Sequence, residues 1–171
     1  KESVRDEGTK LTNALARILV SSIDVSKGAN TDKSKLVLDH ILPFLLGTKG
    51  LNSDAEDVRN LALKTIIDLV KNTGDAIKPF AVHLVYEFTL LFSSIEPQVI
   101  NYLSLNASKY KIDADAIDVH RQNGVTTSPL FEAIDMLIKR SDETMVEQHV
   151  NSAIKATKKS VGLPSKIAAT G

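Results

Sequence analysis

Ser53-Asp54-Ala55-Glu56-Asp57-Val58-Arg59-Asn60 is the stretch on which the reading of the fold turns. A hydroxyl residue followed three positions later by Glu has the form of a capping box. Ser53 at the N-cap would take a first-turn N–H, and Glu56 would reach back to the N-cap N–H. Val58, Leu61, Ala62, Thr65, Ile66, Leu69 and Val70 then recur at the three- and four-residue spacing of a helix with one apolar face. Asn72-Thr73-Gly74 closes that helix, because Gly enters the left-handed conformation without penalty. Gln98-Val99-Ile100-Asn101 repeats the Asp57 to Asn60 pattern 41 residues downstream. Ser3-Val4-Arg5-Asp6 fits the same slot 54 residues upstream, and the surplus of 13 is about the length of the polar loop around Lys27 to Thr31.

A helix, turn, helix pattern with a period of ~40–47 residues is that of HEAT-type repeats. The expected architecture is therefore all-α: a helical-repeat solenoid (an α-α superhelix), here a fragment of a larger array. One helix pair cannot bury its own apolar stripe, but stacked pairs bury each other's. Residues 1–24 read as the second helix of a truncated repeat, and 32–74 and 76–110 as helical hairpins. Residues 111–127 read as a variable linker, 128–161 as another hairpin, and 162–171 as the start of a further helix or a tail. Within these, helices are expected over Asp32 to Leu46, bent at Pro43 by the missing N–H, and over Ile77 to Ser93, with Pro79 in the first turn. A shorter helix follows Glu96-Pro97, and a short acidic one spans Asp113 to Asp118. Ser128-Pro129 supplies an N-cap and an N1 proline for a helix to Arg140. The last full helix covers Asp142 to Ser160, with Met145, Val146, His149, Val150, Ile154 and Lys158 along it. At the repeated slot, Val58 is expected in the core and Arg59 on a carboxylate or carbonyl of the adjoining repeat. No run alternates at period two, so no sheet is expected.

The bulk properties exclude several classes. The 171 residues carry 21 Lys plus Arg against 21 Asp plus Glu, a net charge of zero. A nucleic-acid binder needs a basic excess to neutralise phosphates and aromatic faces for stacking, and the chain has only three Tyr and five Phe. The absence of cysteine removes disulfides, Cys-ligated zinc and thiol nucleophiles, and fits a reducing compartment. No segment has the ~18–20 apolar residues of a membrane span, so direct membrane insertion is not expected. The opening Lys1-Glu2-Ser3-Val4-Arg5 reads as the inside of a longer protein.

Candidate sites are few. His40, His83, His120 and His149 are scattered, and a metal would need converging ligands. Asp113, Asp115 and Asp118 lack the Gly and terminal Glu of a calcium loop and read as a solvated face. Gly47-Thr48-Lys49-Gly50 lacks the spacing of a phosphate loop, and no nucleophile elbow occurs. Asn106-Ala107-Ser108 is a formal sequon, irrelevant without secretion. Lys155, Lys158, Lys159 and Lys166 form the strongest basic patch, either a solvated helix end stabilised by the helix dipole or a protein-docking surface. No catalytic residue, cofactor or metal is expected.

Gly50 to Arg59, and Glu96-Pro97-Gln98-Val99-Ile100-Asn101-Tyr102-Leu103-Ser104-Leu105, resemble the very large HEAT-repeat adaptor and scaffold proteins of the proteasome. The spacing onward through Ser128-Pro129 to Gly162-Leu163-Pro164-Ser165-Lys166 fits the C-terminal half of that family. The resemblance covers nearly the whole chain. Lys109 to Thr127 and Pro164 depart from the family pattern. The resemblance implies a non-enzymatic, cytoplasmic and nuclear protein that tethers or stabilises the proteasome core and regulatory particles and monitors their assembly. Its partners would be subunits of those particles. Two alternatives are a HEAT scaffold of another complex (a nuclear transport receptor, a phosphatase scaffold, a ribosome-associated factor) and an unrecognised enzyme.

Overall fold

A computed structural model describes residues 2–95, 119 and 128–159, with side chains over 7–92, 119 and 128–159. It contains α1 (Glu2–Ser22), α2 (Thr31–Leu46), α3 (Glu56–Asn72), α4 (Ala81–Ile95), α5 (Pro129–Arg140) and α6 (Val146–Lys159). Short 3-10 turns cover Val25–Lys27, Gly74–Phe80 and Glu143–Met145. No strand occurs among the described residues. The chain divides into two compact units, Lys1–Pro79 and Phe80–Gly171.

In the first unit α1 and α2 both pack on α3. Leu38 and Leu42 from α2 and Ile66, Leu69 and Val70 from α3 are buried, each contributing about 1.5–3 kcal/mol of apolar transfer. The α1–α2 connection is wired rather than loose. Asp24, itself buried, accepts from Ser26 Oγ at 2.6 Å and Ser26 N–H at 2.9 Å, and pairs with Lys27 at 3.2 Å. The Ser26 hydroxyl, helped by Lys27, holds the Asp24 carboxyl below the usual carboxylate range. Ser34 Oγ donates to the Ile23 carbonyl at 3.1 Å, which fastens the start of α2 to the end of α1. Asn30 then caps α2, its Oδ1 accepting from the N–H groups of Asp32 at 2.9 Å and Lys33 at 3.1 Å. The helix runs three residues past Pro43 and stops at Leu46.

The start of α3 differs from the sequence expectation. The helix begins at Glu56 behind Ala55, which makes no side-chain cap. Ser53 lies two residues too early; its Oγ accepts from the Ala55 N–H at 3.3 Å instead. Arg59 Nη1 donates to the carbonyls of Ser53 at 2.8 Å and Asp54 at 3.0 Å. Arg59 thus ties its own helix to the preceding loop, not to an adjoining repeat. Glu56 and Asp57 in the first turn complement the helix dipole. At the other end Gly74 has φ +53°, as the stop signal required. The buried Thr73 hydroxyl and N–H both donate to the Leu69 carbonyl, at 2.7 and 3.0 Å, so an end-of-helix acceptor is satisfied twice.

In the second unit α4 packs on α5 and α6. Leu84, Phe88, Phe92, Leu130, Leu137 and Ala156 are its buried centre. Pro79 stands in the 3-10 turn before α4 rather than in the first turn of the α-helix, because the missing N–H and fixed φ suit a connector equally well. Ser128 caps α5 as expected, its Oγ accepting from the Leu130 N–H at 3.2 Å, with Pro129 at N1. The last helix starts at Val146, behind a 3-10 turn over Glu143–Met145. The readings on Glu96 to Leu105, Asn106, Asp113, Asp115, Asp118, His120 and Lys166 lie outside the described residues.

Candidate protein-docking surfaces

Polar chemistry is sparse. The loop Gly47-Thr48-Lys49-Gly50 joins α2 to α3, and the amides of both its glycines are already hydrogen-bonded. Gly47 N–H donates to Phe44 O, Gly50 N–H to Gly47 O, and the next amide, Leu51 N–H, to Leu45 O. A phosphate cradle needs such N–H groups free and converging, so this loop cannot serve as one. Among the described residues no three His, Asp or Glu side chains gather in a way that could hold a metal. His40 and His83 are exposed, and His40 Nδ1 stands 2.8 Å from the Leu36 carbonyl of its own helix. His149 is half-buried. Its Nε2 lies 2.8 Å from Ser141 Oγ, its Nδ1 is buried without a hydrogen-bond partner, and burial pushes its pKa down. This pairing bridges α6 to the end of α5, a structural role.

The lysine patch is placed in part. Lys155, Lys158 and Lys159 are exposed on the last turns of α6, at spacings that put them on neighbouring positions of one side. Lys159 Nζ stands 5.8 Å from the centroid of the Tyr86 ring on α4, within cation–π range. Lys159 is thereby partly used to hold α6 to α4, and Lys155 and Lys158 are the two that project outward.

The larger surface is apolar. On α1, Leu11, Leu15 and Ile18 are 62%, 56% and 64% exposed, at the spacing of one helical stripe. On α6, Val146, Val150 and Ile154 form a second exposed stripe. α6 buries Ala156 fully and Ser152 and Ala153 partly, so its small residues face inward and its branched residues outward. Small side chains let two helix backbones approach closely, which explains why that side was taken for the contact. The sequence reading placed Val146, Val150 and Ile154 correctly on a stripe, but periodicity carries no sign saying which stripe is inside. Val58 is a direct correction: expected in the core, it is 37% exposed, because the packed side of α3 is carried by Ala62, Thr65, Ile66 and Leu69. Val58 lines an open groove of about 1350 Å³ within the first unit, formed by α1, α2 and the first half of α3. No described helix is long and apolar enough to cross a membrane.

Residues 77–171 match the family model for the HEAT-repeat domain of the proteasome adapter and scaffold protein ECM29. The chain is 63% identical over 170 residues to the proteasome component ECM29 of Saccharomyces cerevisiae, covering 99% of this chain and 9% of that protein. It is 32% identical over 166 residues to the human proteasome adapter and scaffold protein ECM29, covering 97% of this chain and 9% of that one. The proteasome-associated ECM29 homolog of Drosophila melanogaster is 25% identical over 150 residues, 88% of this chain and 8% of its own length. The chain thus spans under a tenth of each of these relatives. No solved structure matches it.

Proposed function

The chain belongs to the ECM29 family of proteasome adapter and scaffold proteins, as a segment of the HEAT-repeat region, and on that premise we propose that it is a protein-binding stretch of an adaptor that holds proteasome core and regulatory particles together and monitors their assembly. The family is named for adapter and scaffold work rather than for catalysis, and the sequence reading of a non-enzymatic chain agrees with it. The observation that carries the proposal is near-complete coverage of this segment by relatives named as proteasome components. The surface supports it: the exposed apolar stripe on α6, Val146, Val150 and Ile154, is the material of helix-to-protein contacts.

Within this reading, 32–74, 76–110 and 128–161 are successive hairpin repeats, and 1–24 is the second helix of a preceding one. Lys155 and Lys158, with Lys159 and Lys166 beside them in sequence, form a basic patch for an acidic surface on a proteasome subunit. The protein works in cytoplasm and nucleus, where its partners are. The test is affinity purification of the full-length protein, with and without Lys155→Glu and Lys158→Glu. Core and regulatory subunits are expected in the eluate, reduced by the double charge reversal. Recovery of no proteasome subunit by the unaltered protein refutes the function; undiminished recovery by the variant refutes the lysine patch.

A further inference from the structure

We infer that the open groove of the first unit is the seat of a helix from the same polypeptide, belonging to the part of the protein that lies beyond these 171 residues. Its floor is the first half of α3, with Val58, Leu61 and Thr65; its walls are α1, with Leu15 and Leu19, and α2, with Phe44. Three of these are large apolar side chains left in water: Leu15 at 56%, Phe44 at 52% and Val58 at 37% exposed. The volume of about 1350 Å³ exceeds the ~300–1,000 Å³ of small-molecule clefts, and the groove is open to solvent and lined by all three helices. That shape takes the apolar face of an amphipathic helix.

The identity of the occupant follows from how the three helices pair. A repeat of this kind is a hairpin of a first and a second helix, and neighbouring hairpins stack. α2 and α3 pack on each other and form one such hairpin, with α3 as its second helix. α1 also packs on α3, second helix upon second helix, so α1 is the second helix of the hairpin before. The first helix of that hairpin must lie beside α1, its own partner, and beside α2, its counterpart in the next repeat. Those two are the walls of the groove. The polar lip agrees with a helix of the same array. Lys49, Lys64 and Asp57 all line it, a mixed set that selects neither a strongly acidic nor a strongly basic partner. Relatives roughly ten times as long as this segment, which fills 9% of them, have ample chain from which the helix can come. The inference rests on the repeat architecture of the family and stands whether or not the proteasome reading does.

The test uses the full-length protein with the photo-crosslinking residue p-benzoylphenylalanine replacing Phe44 or Val58, one at a time. The same residue at Lys35, on α2 but outside the groove, is the control. Both groove positions are expected to crosslink, above the Lys35 control, to one stretch of the same polypeptide within about one repeat length, ~40–47 residues, before residue 1. Crosslinks to a proteasome subunit, to a second copy of the protein or to residues 1–171, or no crosslink at all, overturn it. Hydrogen exchange on the full-length protein gives the second readout. The amides of α1 are expected to be protected in the unaltered protein and to lose protection in Phe44→Asp; unchanged protection also overturns it. Proteasome subunits co-purifying in the same preparations report separately on the proposed function.

Discussion

Replacing Gly50 by Ala should weaken the first unit severely, although Gly→Ala is among the mildest changes on paper. A Cβ at Gly50 would sit 1.9 Å from the Leu45 carbonyl oxygen, 2.5 Å from its carbon and 2.8 Å from the Leu45 Cα. Ordinary contact begins at 3.4 Å, so that carbonyl must retreat by about 1.5 Å. The atoms in the way are backbone, which has no rotamer to change. The same carbonyl accepts the Leu51 N–H at 2.8 Å, and a retreat of that size breaks the bond between two buried residues. An unsatisfied buried group costs about 1–3 kcal/mol, and forcing an atom into packed space about 1–3 kcal/mol. Against this, Ala restricts the unfolded chain and returns about 0.4–1 kcal/mol. The net loss is about 1–5.6 kcal/mol, at its middle a large part of the ~5–15 kcal/mol that holds a domain together. Urea unfolding followed by circular dichroism reads it: at a mid-range slope of ~2 kcal/mol per molar, the midpoint falls by about 0.5–2.8 M. Gly8→Ala is the internal control. Nothing lies within 4 Å of a Cβ there, and as an α1 residue it should gain about 1 kcal/mol of helix propensity. A Gly50→Ala loss under about 0.5 kcal/mol, the size of an ordinary surface change, would refute the close approach of the α2–α3 loop to Leu45.

Three further outcomes are expected. Val58→Asp should leave the melting of the isolated 171-residue chain within ~0.5 kcal/mol of the parent, because Val58 is 37% exposed; a loss of several kcal/mol would restore it to the core. Ser128→Ala should cost about 1 kcal/mol by removing the acceptor for the Leu130 N–H at the start of α5, whereas Ser53→Ala should cost less, since Ser53 caps no helix; equal losses in chemical denaturation would contradict this. His149, whose pKa is lowered by burial, binds its proton less readily folded than unfolded. Its contribution to stability is therefore complete above the ordinary histidine value of 6.5 and declines as pH falls below it. Melting temperature measured from pH 7.5 to pH 5 should fall more steeply for the parent than for His149→Gln, and parallel curves would show that His149 is freely protonated in the fold.

Most of the elements were legible in the sequence because helix signals are local. The apolar spacing of α3 and α5, the left-handed Gly74 and the Ser128-Pro129 start each depend on residues within a turn or two of one another. The Ser53 to Glu56 capping box failed for a reason equally local but invisible: a guanidinium six positions on, Arg59, competes for the loop carbonyls and the helix begins later. The lysines of α6 were visible as a charge cluster, but not that Lys159 lies over Tyr86, a residue more than seventy positions away in the chain.

By itself the sequence determined the all-α class, the HEAT-type repeat and the family, since period, punctuation and family marks are properties of the chain in order. Tertiary structure alone decided the inside and the outside. In a stacked array a helix carries apolar side chains on more than one side, and each side is covered by a different neighbour. Ala156 turns inward while Val146, Val150 and Ile154 stay in water, because close approach to α4 favoured the small side, and no count of hydrophobic residues along one helix contains the position of another.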